Sequence, residues 1–115
     1  MTAVQIKNSI KVDCVSITTF IDNEFSEKNI HLLKIDCEGG EYDILSALKK
    51  EQFNKILNIT LEVHDIDEIY KLNYIQNILT NNGYNLFYKP DAFGRRRLHH
   101  LLAKKYYFKS QNNNL

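Results

Sequence analysis

Three carboxylates crowd one short stretch. Asp36, Glu38 and Glu41 surround the pair Gly39-Gly40 in KIDCEGGEYDIL, residues 34–45. Before it lies an apolar run, Ile30 to Ile35 interrupted by His31 and Lys34, and after it Ile44, Leu45 and Leu48 recur at helical spacing. The pattern is a strand that ends in acid, turns on glycine and re-enters as a helix. In open α/β sheets ligands bind outside the carboxyl ends of the strands, so acids placed there are candidates for function. A second polar group, Glu62 and His64, closes the next apolar stretch, ILNITLEVH. If the two strands are neighbours, Glu62 and His64 approach Asp36. Such a cluster offers oxygen and imidazole ligands, but no spacing in it is diagnostic of a metal site, and none is assigned.

The elements that must position these residues follow from periodicity. Ile10 to Ile17 is β-prone and is expected to form a short strand. Thr18 to Phe25 reads as a short helical turn. Leu32 to Asp36 is nearly continuous in apolarity, as in a parallel strand covered on both faces. Glu41 to Lys50 reads as one helix, with Lys49 and Lys50 in its last turn, where they favour the negative end of the dipole. Ile56 to Val63 is the next strand. A second long helix is expected from Asp65 or Ile66 to Asn82, opened by Asp65 and Glu68 as a capping box and closed by Gly83. Tyr84 to Tyr88 and about Leu98 to Phe108 complete the chain as an antiparallel hairpin around Pro90 and Gly94. This order predicts an α/β domain over residues 1–109, followed by a disordered tail at 110–115.

Composition narrows the function classes. The chain has 115 residues, 43% of them hydrophobic and 25% charged, with a net charge of +1. Those figures suit one globular domain and give no general electrostatic reason for a nucleic-acid or membrane partner. The beginning, MTAVQIKNSIKVD, has no apolar signal-peptide core, and no apolar run approaches a membrane span. Cys14 and Cys37 are too few for a disulfide framework, so a reduced, cytoplasmic setting is expected. Cys37 is read as a small buried thiol. Arg95-Arg96-Arg97 with His99 and His100 is the one basic cluster. It lacks interleaved stacking aromatics and reads as a solvated loop, with anion binding as the alternative.

Three segments in order, LLKIDCEGGEYDIL, ITLEVH and NNGYNLF, resemble the FkbM-type methyltransferase family. Its Lys-Ile-Asp-x-Glu-Gly-x-Glu pattern is matched by Lys34, Ile35, Asp36, Glu38, Gly39 and Glu41, and VSITTFID is similar to the segment that precedes it. The resemblance runs from about Val12 to about Tyr107. It implies a Rossmann-like S-adenosylmethionine-dependent methyltransferase that moves a methyl group to an oxygen of a sugar or small metabolite. It implies Asp36 or Glu38 as the catalytic carboxylate that acts as general base toward the acceptor hydroxyl, with Asp36 also beside the methyl donor; Glu41, Glu62 and His64 are substrate-binding candidates from their places at the helix entry and the end of the next strand. For Glu41 and Asp43, a favourable place in the first turn of a helix is an alternative explanation.

The family's glycine-rich donor turn has no counterpart here. Glycine occurs only at 39, 40, 83 and 94. The expectation is therefore a partial methyltransferase sheet that matches the C-terminal half of the family fold. The alternative is a non-catalytic module that dimerises, or binds a missing N-terminal half, through the exposed edge of the Leu32–Asp36 strand.

Overall fold

A computed structural model describes residues 9–106. The elements run α1 (Ile17–Glu24), β1 (Leu33–Ile35), α2 (Glu41–Ala47), α3 (Lys50–Lys55), β2 (Asn58–His64), α4 (Leu72–Asn81), β3 (Tyr84–Pro90) and β4 (Leu98–Lys105). The four strands form one sheet in the order β1-β2-β4-β3. β1 and β2 are parallel, with Lys34 opposite Thr60 and Ile35 opposite Leu61. β4 runs antiparallel between β2 and β3. The mixed α/β architecture expected from the sequence is present. The hairpin reaches back, so that its second strand, not its first, adjoins β2.

Side-chain alternation fixes which face is covered. Along β2 buried Ile59, Leu61 and Val63 alternate with half-buried neighbours. They share a face with Ile35, Leu101 and Ala103, and the core is completed by Ile21, Leu45, Phe53, Ile75 and Leu79 from the helices. The opposite face carries Lys34, Thr60, Glu62, His100 and Leu102. It bears a shallow recess of about 210 Å³ lined in part by Lys34, Thr60, Glu62 and His100. β1 is therefore not covered on both faces: Lys34 is exposed, as is Leu32 just before the strand.

Several expected boundaries move, each for a local reason. Ile10 to Ser16 forms no strand. Ile10, Val12 and Val15 are exposed, and Ser16 instead caps α1 by accepting the Thr19 N–H at 3.2 Å. The expected helix 41–50 breaks in two at Leu48, which is extended and buried. Gln52 Oε1 accepts the Lys49 N–H at 2.9 Å, and its amide donates to Asp22 of α1 at 3.0 Å. Lys49 and Lys50 thus open α3 and do not close α2.

α4 begins at Leu72, seven residues after Asp65. Asp67 Oδ1 accepts the N–H groups of Ile69 and Tyr70, a local turn that competes with helix. Asp65 Oδ1 accepts the Leu72 N–H at 2.9 Å, while Glu68 pairs with Lys71, so Asp65 and Glu68 make no capping box. Gly83 follows Asn82 at φ +88°, as a helix stop requires. The expected tail at 110–115, and the end of the last strand beyond Tyr106, lie outside the described residues.

Candidate functional site

The parallel strands β1 and β2 end at the same edge of the sheet, and the β3–β4 loop returns there. Three loops therefore meet: 36–40, 65–71 and 91–97.

The first is a tight turn. The Gly40 N–H donates to the Cys37 carbonyl at 3.0 Å, and both central residues have positive φ, Glu38 at +38° and Gly39 at +101°. Glycine is the natural occupant at φ +101°; a glutamate at positive φ is strained. Gly40 starts α2, and a Cβ there would lie 3.1 Å from that of Cys37. A small residue is needed at position 40 because the turn folds back on itself.

Glu41 holds this turn to the end of β2. It is fully buried. Its Oε1 accepts the Gly39 N–H at 2.8 Å; its Oε2 accepts the His64 N–H at 2.7 Å and lies 3.1 Å from His64 Nδ1. Tyr42 next door donates its hydroxyl to the His64 carbonyl at 2.7 Å. His64 is thus gripped through its N–H, its C=O and its ring. Burial, and then the negative charges of Glu41, Asp65 and Asp67, push the Tyr42 hydroxyl pKa well above that of a free tyrosine.

Asp36 and Glu38 are exposed, and among the described residues no hydrogen bond or ion pair engages their side chains. Glu62 lies on the open face opposite His100; among the described residues its side chain makes no hydrogen bond, but its charge helps favour protonated Arg95. The structure therefore joins Glu41 to His64 and leaves Asp36, Glu38 and Glu62 with unengaged side chains along the same edge. Among the described residues, no group of three or more His, Cys, Asp or Glu side chains is placed to hold a metal ion.

The other loops are pinned in the same manner. Asp65 Oδ2 lies 2.8 Å from His99 Nε2, and the Tyr88 hydroxyl lies 3.1 Å from His99 Nδ1. Asp91, with its carboxylate almost wholly buried, receives Arg95 Nε and Nη2, both at 2.8 Å, and lies 3.1 Å from His100 Nε2. The Arg95 guanidinium holds the Asp91 carboxyl well below the usual carboxylate range; burial opposes this, while His100 and the N–H groups of Arg95 and Phe93 add to it. Arg95, His99 and His100 are therefore engaged within the fold, contrary to a wholly solvated basic cluster. Cys37 is exposed, not buried.

Tyr42 and Asp91 shape this edge without having been candidates from sequence, whereas Asp65 was read only as a helix cap and His99 only as part of the basic cluster. Tyr42, Asp65 and Asp91 reach His64, His99 and His100, which lie 22, 34 and 9 residues away.

Residues 2–86 match the model of the methyltransferase FkbM domain. The match spans α1 to the first half of β3 and contains the turn, Glu41, Glu62 and His64. A 61-residue segment is 33% identical to "Methyltransferase 1" of Beauveria bassiana (strain ARSEF 2860). It covers 53% of this chain and 24% of that relative, so the likeness spans about a quarter of the relative's length. No solved structure matches the chain.

Proposed function

The chain belongs to the FkbM methyltransferase family, and from that premise we propose that it carries the acceptor side of an S-adenosylmethionine-dependent methyl-transfer site built at the carboxyl edge of β1 and β2. The observation that carries this reading is the contrast within the 36–41 loop. Glu41 is buried and spent on structure, whereas Asp36 and Glu38 stand on the same turn with free carboxylates. The strained φ at Glu38 supports it, since such strain persists where a position is over-determined and clusters at functional sites.

The methyl donor supplies, when bound, an electrophilic methyl group on a cationic sulfonium. Asp36 and Glu38 fit that positive charge: they are exposed acids whose side chains have no partner among the described residues. The residues that would close around the donor's adenosine are less evident, because no glycine-rich turn follows a strand ahead of β1 among the described residues. The chain's part is then chiefly positioning. Glu62 and His64 would orient an acceptor hydroxyl of a sugar or small metabolite against the donor. Methylation of that hydroxyl would release its proton, which a base on this edge would take up.

Titration of isotope-labelled protein with S-adenosylhomocysteine tests the reading. Saturable amide shifts at 36–41 and 62–64 are expected. A folded spectrum with no shift at millimolar ligand would refute donor binding by these residues.

A second reading is favoured by the sheet order. β1 is an edge strand, with Leu32 just before it 55% exposed. An unpaired strand edge invites pairing with another chain. Light scattering at micromolar protein should then report a dimer, and a monomer would dismiss this reading. Among the described residues no helix is long and apolar enough to cross a membrane.

A further inference from the structure

We infer that Glu41 and His64 form a carboxylate–histidine pair whose Nε2 is the proton acceptor of this site, in place of Asp36 or Glu38. The inference rests on the methyl-transfer reading for its purpose, but its chemistry stands on geometry alone.

Both oxygens of Glu41 accept backbone hydrogen bonds, from Gly39 at 2.8 Å and from His64 at 2.7 Å. An ionised carboxylate accepts at both oxygens and cannot donate. With Glu41 ionised, Nδ1 of His64, 3.1 Å from Oε2, is the donor of that contact. In a neutral imidazole this leaves the lone pair on Nε2. Among the described residues Nε2 has no partner.

The ring is also held in place. Its own backbone N–H is fixed to the same carboxylate, and its carbonyl is fixed by Tyr42. The side chain remains 28% exposed while Glu41 is wholly buried. A buried acid thus orients a half-open base, the arrangement in which a carboxylate sets the tautomer of a histidine and stabilises the imidazolium formed when it takes a proton.

Position supports the assignment. The one carboxylate that holds the ring also holds Gly39, so the base is two hydrogen bonds away from the turn that carries Asp36 and Glu38. Those two acids are exposed and have no orienting partner. A division of labour follows. Asp36 and Glu38 face the sulfonium charge, and His64 Nε2 receives the proton of the acceptor hydroxyl as the methyl is transferred. Glu41 is a positioning residue, since it touches the ring and not the substrate.

The test uses the whole chain and needs neither donor nor acceptor. Long-range proton–nitrogen spectra at about pH 8, where a free imidazole is neutral, distinguish the tautomers. The expected result is a protonated Nδ1 and an unprotonated Nε2 for His64. Diethyl pyrocarbonate should then acylate His64, since its electrophilic carbon takes the place of the incoming proton at Nε2. Exposed His31 is the internal reference.

Glu41→Gln removes the charge. It should reduce the tautomer ratio by about tenfold, the loss expected for one charge-assisted hydrogen bond. Tyr42→Phe removes the other tether without touching the ring, and should leave the ratio unchanged.

An Nε2–H tautomer in the native chain would overturn the inference. So would an unmodified His64 beside a fully modified His31, or a tautomer ratio equally disturbed by Tyr42→Phe. The native-chain measurements decide the matter even if Glu41→Gln does not fold. A negative S-adenosylhomocysteine titration alongside the expected tautomer would remove the methyl-donor reading and leave the pair standing.

Discussion

Replacing Glu41 by alanine should unfold the chain at a markedly lower denaturant concentration. The side chain is 0% exposed, accepts the Gly39 and His64 N–H groups, and lies 3.1 Å from His64 Nδ1, the third donor under the inferred tautomer. Each donor left without a partner costs about 1–3 kcal/mol when it is sealed from water. Gly39 and His64 are only half-buried, so solvent replaces part of what is lost. That discount gives about 2–4 kcal/mol in total. Against a typical domain stability of about 5–15 kcal/mol, the variant should still fold. With a urea slope of about 1–3 kcal/mol/M, the midpoint should fall by roughly 0.7–4 M. Urea titration followed by far-ultraviolet circular dichroism measures it. Glu41→Gln keeps one accepting oxygen and should lose about half as much. If Glu41→Ala shifted the midpoint by less than about 0.3 M, the claim that this carboxylate ties the turn to β2 would be wrong.

Gly39 sits at φ +101° with room for a methyl group, the nearest atom being Ile66 Cδ1 at 3.7 Å. Gly39→Ala should therefore cost about 1–3 kcal/mol through backbone strain alone, readable in the same urea titration. Glu38 has the opposite problem: at φ +38°, Glu38→Gly should leave stability unchanged or slightly raised, so that any loss of ligand binding in that variant reports function and not folding. Because Asp91 has a depressed folded-state pKa, its contribution is complete above the unfolded carboxylate value of about 3.9 and is lost as pH falls through the lower folded value. The stability difference between the native chain and Asp91→Asn should accordingly shrink below about pH 4, and a difference that grows there would contradict the assignment. Tyr42 is shifted the other way, so the stability tied to its neutral hydroxyl is intact below about pH 10 and lost only as pH rises through its raised folded value. Tyr42→Phe should remove that alkaline dependence and cost about 1 kcal/mol at neutral pH, measured by thermal melts across pH.

What could be read in the sequence was whatever depends on neighbours in the chain. The strand–turn–helix at 34–45 was legible because glycine and acid punctuate an apolar run, and Gly83 was legible because helix stops are local. The break at Leu48 was not legible. It depends on Gln52 turning back to Lys49 and reaching across to Asp22. The late start of α4 was hidden for a related reason: Asp65 and Asp67 carry the composition of a helix opening, yet spend their carboxylates on a preceding turn and on Leu72. At the candidate site, residue types were visible and roles were not. Asp36, Glu38 and Glu41 are equivalent as letters. Only the fold separates a buried clamp from two open anions, because the partner that distinguishes Glu41 lies 23 residues away.

That separation has a consequence for how this edge works. Each of its three loops is fastened by one acid to a histidine: Glu41 to His64, Asp65 to His99, and Asp91 to His100. In the second pair both ring nitrogens are engaged, by Asp65 and Tyr88; in the third, the acid is saturated by Arg95 as well. The second pair is a fastening with little left to offer a ligand. The first and third each combine a buried, fully hydrogen-bonded acid with a ring nitrogen that has no partner among the described residues, but only in the first does the same carboxylate also hold the 36–41 turn. Preorganised polar groups lower a barrier because no reorganisation is needed when charge develops, and preorganisation requires that the surrounding loops be held. All three pairs hold the loops, and the inferred base, His64 Nε2, is the one tied through its acid to the turn that carries Asp36 and Glu38.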